Sequence, residues 1–141
     1  MANVLFNLAK QKFLAPGTLG TTSATAIDLL DDDIKVVLVD AVYSFDAADE
    51  FLDSILIANR IATSANLSTK TVSAAGVFDA DDVTFSAVSG ADVTQVIIYK
   101  DTGTPATSSL IVYYDTMTGL PVTPNGGDIT ISWNAGGIFN L

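Results

Sequence analysis

Beyond residue 60 the chain is a succession of short apolar runs, each closed by residues that reverse the backbone. The runs fall at 60–65, 68–74, 83–88, 93–100, 108–115 and 128–133, with the tail IFNL as a further candidate. Between them lie Ala75-Gly76, Ser89-Gly90, DTGTP at 101–105, TGLP at 118–121 and NGGD at 125–128. Gly, Pro, Asn and Asp at such places supply the dihedral angles that turns demand. Short strands recurring about every ten residues predict antiparallel pairing. IKVVLVD at 34–40, rich in β-branched residues, reads as the first confident strand of the same region. The expected fold is mainly β: an antiparallel β-sandwich or jelly-roll-like domain, with a barrel as the other way of closing the sheet. There is no internal sequence repeat.

The first third reads differently. NVLFNLAKQKFL (3–14) has Leu5, Ala9 and Phe13 at four-residue spacing, which predicts a short amphipathic helix with Asn3 as N-cap and Pro16-Gly17 as its end. GTLGTTSATA (17–26) is small and polar and reads as a linker. A second short helix is expected over 46–57, capped by Asp46, with Ala48, Phe51, Leu52 and Ile55 as its apolar stripe. The organisation read from this is a helix-and-linker arm over 1–33 and one β-rich domain over 34–141.

Composition removes whole classes of function. The chain has 141 residues, enough for one domain, and 49% of them are hydrophobic. No apolar run approaches the ~20 residues of a membrane-spanning helix. Lys10 and Lys12 follow the first apolar residues, where a secretory signal would have them in front. The expectation is a protein made in the cytoplasm, with no membrane partner. A net charge of −10, with six scattered basic residues, argues against nucleic acid as a partner, because phosphate binding needs clustered cations. With no cysteine there is no disulfide, thiolate nucleophile or zinc–sulfur site, and with no histidine the commonest general base is missing.

Two acidic clusters precede strand-like runs: Asp31-Asp32-Asp33 before IKVVLVD, and Asp79, Asp81 and Asp82 before VTFSAV. A calcium loop starting at Asp79 needs an oxygen ligand at its fifth position, Gly at its sixth and Glu at its twelfth. The chain offers Val83, Thr84 and Gly90 there, so that loop fails. Both clusters read as solvated turn residues, and no metal or cofactor is expected. Glycoside hydrolysis would need two converging carboxylates and aromatic platforms. The sole tryptophan, Trp133, shares a strand face with Ile129 and Ile131 and reads as core or interface. NGGD lacks the lysine and following helix of a phosphate loop. Tyr99, Tyr113 and Tyr114 are candidate contact aromatics; adjacent Tyr113 and Tyr114 should put one ring inward and the other outward. No set of residues marks an enzyme.

The wording of several segments is more specific. RIATSANLSTKTVSAAGVFDADDVTFSAVSG, YKDTGTPATSSLIVYYDT, TGLPVTPNGGDITISW and the ending GGIFNL resemble, in that order and at similar spacing, a family of small virion proteins of tailed bacteriophages. The resemblance covers residues 34–141 well and the first fifteen loosely, while Gly17 to Asp33 is longer than its equivalent. It implies a non-enzymatic structural protein, most similar to head decoration or cement proteins. The implied partners are the major capsid protein or other virion proteins, and further copies of itself, at the head surface. No catalytic residue is carried over. A tail, neck or baseplate component is the neighbouring alternative, and a carbohydrate-binding module is the alternative from another class. The residues expected to meet a partner are Leu5, Phe6 and Phe13 on the N-terminal helix, with Tyr113 and Tyr114 on the β-surface.

Overall fold

Two strands carry the architecture because almost nothing in them is polar. VIIY within Gln95–Lys100 and LIVYY at Leu110–Tyr114 are continuous apolar runs, which suits strands covered on both faces, and every residue of both is buried. The computed structural model describes residues 3–14 and 26–141. In chain order its elements are β1 (Val4–Leu5), α1 (Asn7–Leu14), β2 (Ile34–Val39), β3 (Arg60–Thr63), β4 (Thr71–Val72) and β5 (Val77–Asp79). They are followed by β6 (Val83–Phe85), β7 (Gln95–Lys100), β8 (Leu110–Tyr114), β9 (Ile129–Ile131) and β10 (Phe139–Asn140). Single 3-10 turns lie at Leu52–Ser54, Ile57–Asn59 and Pro105–Thr107.

The protein is mainly β, with three antiparallel sheets and one α-helix among the described residues. The largest sheet has the order β1-β8-β7-β2-β3; β10-β5-β4 and β6-β9 form the smaller ones. The arrangement is that of a sandwich. Each sheet ends on open strands, so the barrel alternative does not hold. Alternation along β8 sends Tyr114 to one face, where its hydroxyl donates to Ile138 O (2.6 Å), and Tyr113 to the other, where its ring lies 4.4 Å from that of Phe45. The C-terminal segment thus covers one face, and the segment after β2 covers the opposite one.

The N-terminus departs from the expected arm. Val4 and Leu5 form an edge strand against Tyr113 and Val112, and α1 begins only at Asn7. Asn3 does not cap the helix. Its amide reaches across to the end of β8, donating to Thr116 O (2.8 Å) and accepting from Thr116 N (3.2 Å). Phe6 is fully buried, and Ile27 and Leu29 are buried. Phe6, Ala9, Ile27 and Leu29 thus belong to the same core cluster as the strands after residue 33. The linker reading of 17–26 falls, up to residue 25, outside the described residues.

The expected helix over 46–57 is also replaced. Asp46 does cap a turn, accepting from Ala48 N (2.9 Å), but the next backbone groups pair across space. Leu110 N donates to Glu50 O and Leu52 N donates to Ser108 O, both at 2.9 Å. Those long-range bonds take groups that an α-helix would use within itself. What remains is two 3-10 turns, at Leu52–Ser54 and Ile57–Asn59.

Candidate interaction surface

None of the five side chains expected to meet a partner lies open in this fold. Phe6 is buried with its ring 5.3 Å from Phe45, and Phe13 is half-buried with its ring 6.2 Å from Phe139. Leu5 is half-buried at the edge of β8. Tyr113 and Tyr114 do point to opposite faces, but both faces are covered and both residues are buried. Tyr99 is buried as well. All of these side chains pack on their own domain: Phe13 from the helix, Leu5 from the edge strand, Phe6 from the junction between them, and the tyrosines from the central strands. Burial pushes the Tyr99 hydroxyl up to about 12, and pushes those of Tyr43 and Tyr114 higher still.

The acidic clusters do more than stay in water. DADD at 79–82 crosses from β5, in one small sheet, to β6 in the other, and its side chains hold that crossing. Asp81 Oδ2 accepts from Thr69 Oγ1 (2.6 Å) and Ser68 Oγ (3.0 Å), while Asp82 Oδ1 accepts from Trp133 N (3.0 Å). The Thr69 and Ser68 hydroxyls hold the Asp81 carboxyl below its ordinary range. At the other cluster, Asp32 Oδ2 accepts from Asp28 N (2.7 Å) and pairs with Lys100 (2.8 Å). Among the described residues, no group of three or more acidic, His or Cys side chains is placed to hold a metal ion.

The cations are drawn inward. Lys12, with 1% of its surface exposed, pairs with Glu50 (2.9 Å), donates to Ser109 Oγ (2.8 Å) and lies 4.7 Å from the centre of the Phe51 ring. Lys35 pairs with Asp101, and Lys70 donates to Asp32 O. Arg60 donates from Nε to Ile55 O (2.8 Å) and from Nη2 to Leu52 O (2.9 Å). Burial opposes ionisation of Asp101, but the bonds from Lys35, Gly103 N and Ser108 prevail and hold its carboxyl below the ordinary value. Five of the six basic residues thus serve the fold, while Asp28, Asp31, Asp33, Asp46, Asp53, Asp81, Asp82, Asp92 and Asp128 stay exposed. The outer surface is acidic.

Two of the concavities bear on binding. A cleft of about 470 Å³ runs between the end of β8 and the C-terminal segment, lined by Asn3, Tyr114, Met117, Ser132, Trp133 and Ile138 among others. Its tryptophan is tied down, since Trp133 Nε1 donates to Asp81 O (3.0 Å). A shallower hollow of about 310 Å³ is lined by Val42, Tyr43, Asp46, Asp49, Leu56 and Asn59 among others. Here large apolar side chains stand in solvent: Val42 (73% exposed) and Leu56 (68%) line the hollow, and Ile57 (80%) follows Leu56 in the chain. Sequence reasoning missed them. The helix expected over 46–57 left Leu56 and Ile57 outside its stripe, and the run ILI at 55–57 was the available signal, because successive side chains on a helix or turn point in different directions and one face cannot take all three.

Compared with known proteins, the chain matches no family model and no curated sequence. No helix among the described residues is long and apolar enough to cross a membrane.

Proposed function

We propose that the chain is a non-enzymatic structural protein of a tailed-bacteriophage virion, a cement protein that decorates the head and bridges neighbouring capsid subunits. The reading starts from the resemblance over residues 34–141. The observation that best supports it is the combination of a tied-down fold with an open apolar surface. β1 and β10 are both paired into sheets, the cations are turned inward, and Val42, Leu56 and Ile57 remain uncovered. Such a preformed surface loses little conformational freedom on docking. DNA packed inside a head pushes outward on the shell, and a rigid clamp across a seam adds contact area that must be broken before the seam opens. Self-association would strengthen the attachment further by linking several weak contacts.

A tail, neck or baseplate role shares this chemistry and differs in stoichiometry, because closed symmetric rings hold few copies and a shell holds many. The test is the amount of this protein in purified particles, measured by mass spectrometry against the major capsid protein, together with its position in a particle reconstruction. Copies in the hundreds on the outer shell fit the cement reading. A dozen or fewer at the neck or tail fit the alternative, and absence from particles overturns both. The cleft beside Trp133 is where a carbohydrate-binding module would hold sugar. Its support is thin: the indole N–H is already committed to Asp81 O, and the Asn3 amide to Thr116.

A further inference from the structure

We infer that the face built from Val42, Leu56 and Ile57 is the docking surface, and that its partner is a protein surface whose apolar centre is ringed by lysine or arginine. The inference rests on the reading of the chain as a virion component, and it adds which face binds and what chemistry receives it. Val42 and Leu56 line one hollow, and Ile57 follows Leu56 in the chain. All three are more than two-thirds exposed, whereas the buried core is continuous beneath them at Tyr43, Leu52 and Ile55. A contiguous apolar patch that a fold leaves in water marks an interaction site more often than a scatter of single residues does.

The patch is held from below. Val42 N donates to Asp40 Oδ1 (2.9 Å), and Asp40 Oδ2 accepts from Asn59 Nδ2 (3.1 Å), so the two chain segments that carry the patch are joined at their bases. Gln95 Nε2 on β7 donates to Tyr43 O (2.9 Å), and the Tyr43 hydroxyl donates to Asp49 Oδ2 (2.7 Å). Arg60 grips Leu52 O and Ile55 O, the carbonyls that bracket the 3-10 turn just before Leu56. Buried polar bonds of this kind fix a geometry. The patch is offered ready-made.

Charge selects the partner. From residue 36 to residue 59 there is no lysine or arginine, while Asp40, Asp46, Asp49, Glu50 and Asp53 all fall there. Glu50 is turned to Lys12 and Asp40 is buried, leaving Asp46 and Asp49 on the wall of the hollow and Asp53 exposed three residues before Leu56. Arg60, the cation next to it in sequence, points its guanidinium at backbone carbonyls. Two copies meeting through this face would bring like charges together, which disfavours a self-contact here and favours a basic rim on the other side. Any self-association would use another face.

The test uses the full-length chain and particles from a phage deletion strain that lacks it. Wild-type protein added to these particles should bind saturably, and added salt should weaken binding. Leu56→Asp and Ile57→Asp should keep the wild-type melting temperature, since both side chains stand in solvent, yet lose at least about tenfold in affinity. Asp46→Asn combined with Asp53→Asn should bind more weakly and with less dependence on salt. Val42→Asp provides an independent probe of the patch should either of the first two variants unfold. If the wild type binds particles and the folded variants bind equally well, the face is wrong and the virion reading stands. If the wild type does not bind, the virion reading fails and takes this inference with it. If sedimentation shows wild-type oligomers that Leu56→Asp dissolves, the face is a contact between copies and the basic partner is wrong.

Discussion

Lys12 is the residue whose position is least expected from its chemistry. An ammonium group taken out of water loses its hydration, and here Glu50, Ser109 and the face of Phe51 take the place of that water. Replacing it leaves the Glu50 carboxylate without its counter-charge. Lys12→Met should therefore lower the unfolding free energy by about 3 kcal/mol or more, read from urea denaturation, because breaking one side of a buried pair is strongly destabilising. The double replacement Lys12→Met with Glu50→Leu should recover much of the loss. The tyrosines make the matching statement at high pH. All four are buried, and burial raises the Tyr99 hydroxyl from its ordinary value of about 10 to about 12. A group whose pKa is raised on folding contributes stability that is complete below pH 10 and is lost as the pH climbs toward 12. Absorbance of tyrosinate at 295 nm should stay low past pH 10 and then rise together with the loss of circular dichroism. A smooth titration centred near pH 10 in the folded protein would show that the rings are accessible.

The N-terminal segment shows how far an element can be read from its own residues. Its helical pattern was legible in the spacing of Leu5, Ala9 and Phe13, and α1 does form at Asn7–Leu14. Its first residues were not legible as a strand. A two-residue edge strand has no period of its own and exists only because β8 offers Val112 and Tyr113 as partners. Deleting residues 2–14 would uncover that edge and remove Phe6 from the centre of a packed region. Truncating a buried phenylalanine alone typically costs about 3–5 kcal/mol. The deletion should leave the domain largely unfolded or sharply lower its denaturation midpoint, and Phe6→Ala should reproduce part of the effect. An unchanged midpoint would mean that the segment is dispensable. β5 (Val77–Asp79) was also missed, because VFDADDVTF reads as one turn and one strand, while the fold places its two halves in different sheets. Strands with strong local patterns, β2, β7 and β8, were legible to within two residues at each end. The apolar face at Val42, Leu56 and Ile57 was not, because its exposure depends on Glu50 and Leu52 leaving the expected helix to pair with Leu110 and Ser108.

On the scale of the whole molecule, sequence gives the charge and the fold decides where each sign goes. A chain with sixteen acids and six bases could still show a local basic patch if its lysines gathered on the outside. Here Lys12, Lys35 and Lys100 pair with Glu50, Asp101 and Asp32, Lys70 reaches the Asp32 carbonyl, and Arg60 binds two backbone oxygens. Their positive charge is met close to home, and the exposed carboxylates set the outer field. Duplex DNA approaching such a surface releases few counterions and meets repulsion, so association lacks the term that ordinarily dominates nonspecific binding. Lowering the salt, which strengthens most protein–DNA contacts, should strengthen the repulsion instead. In an electrophoretic shift assay with micromolar protein, a random duplex should move as free DNA at physiological salt and also at 20-fold dilution of that salt, on the order of 0.01 M, where the screening length approaches ~30 Å. A shift that appears on dilution and disappears with added salt would show that the inward cations come apart from their partners, and that this picture of the surface is wrong.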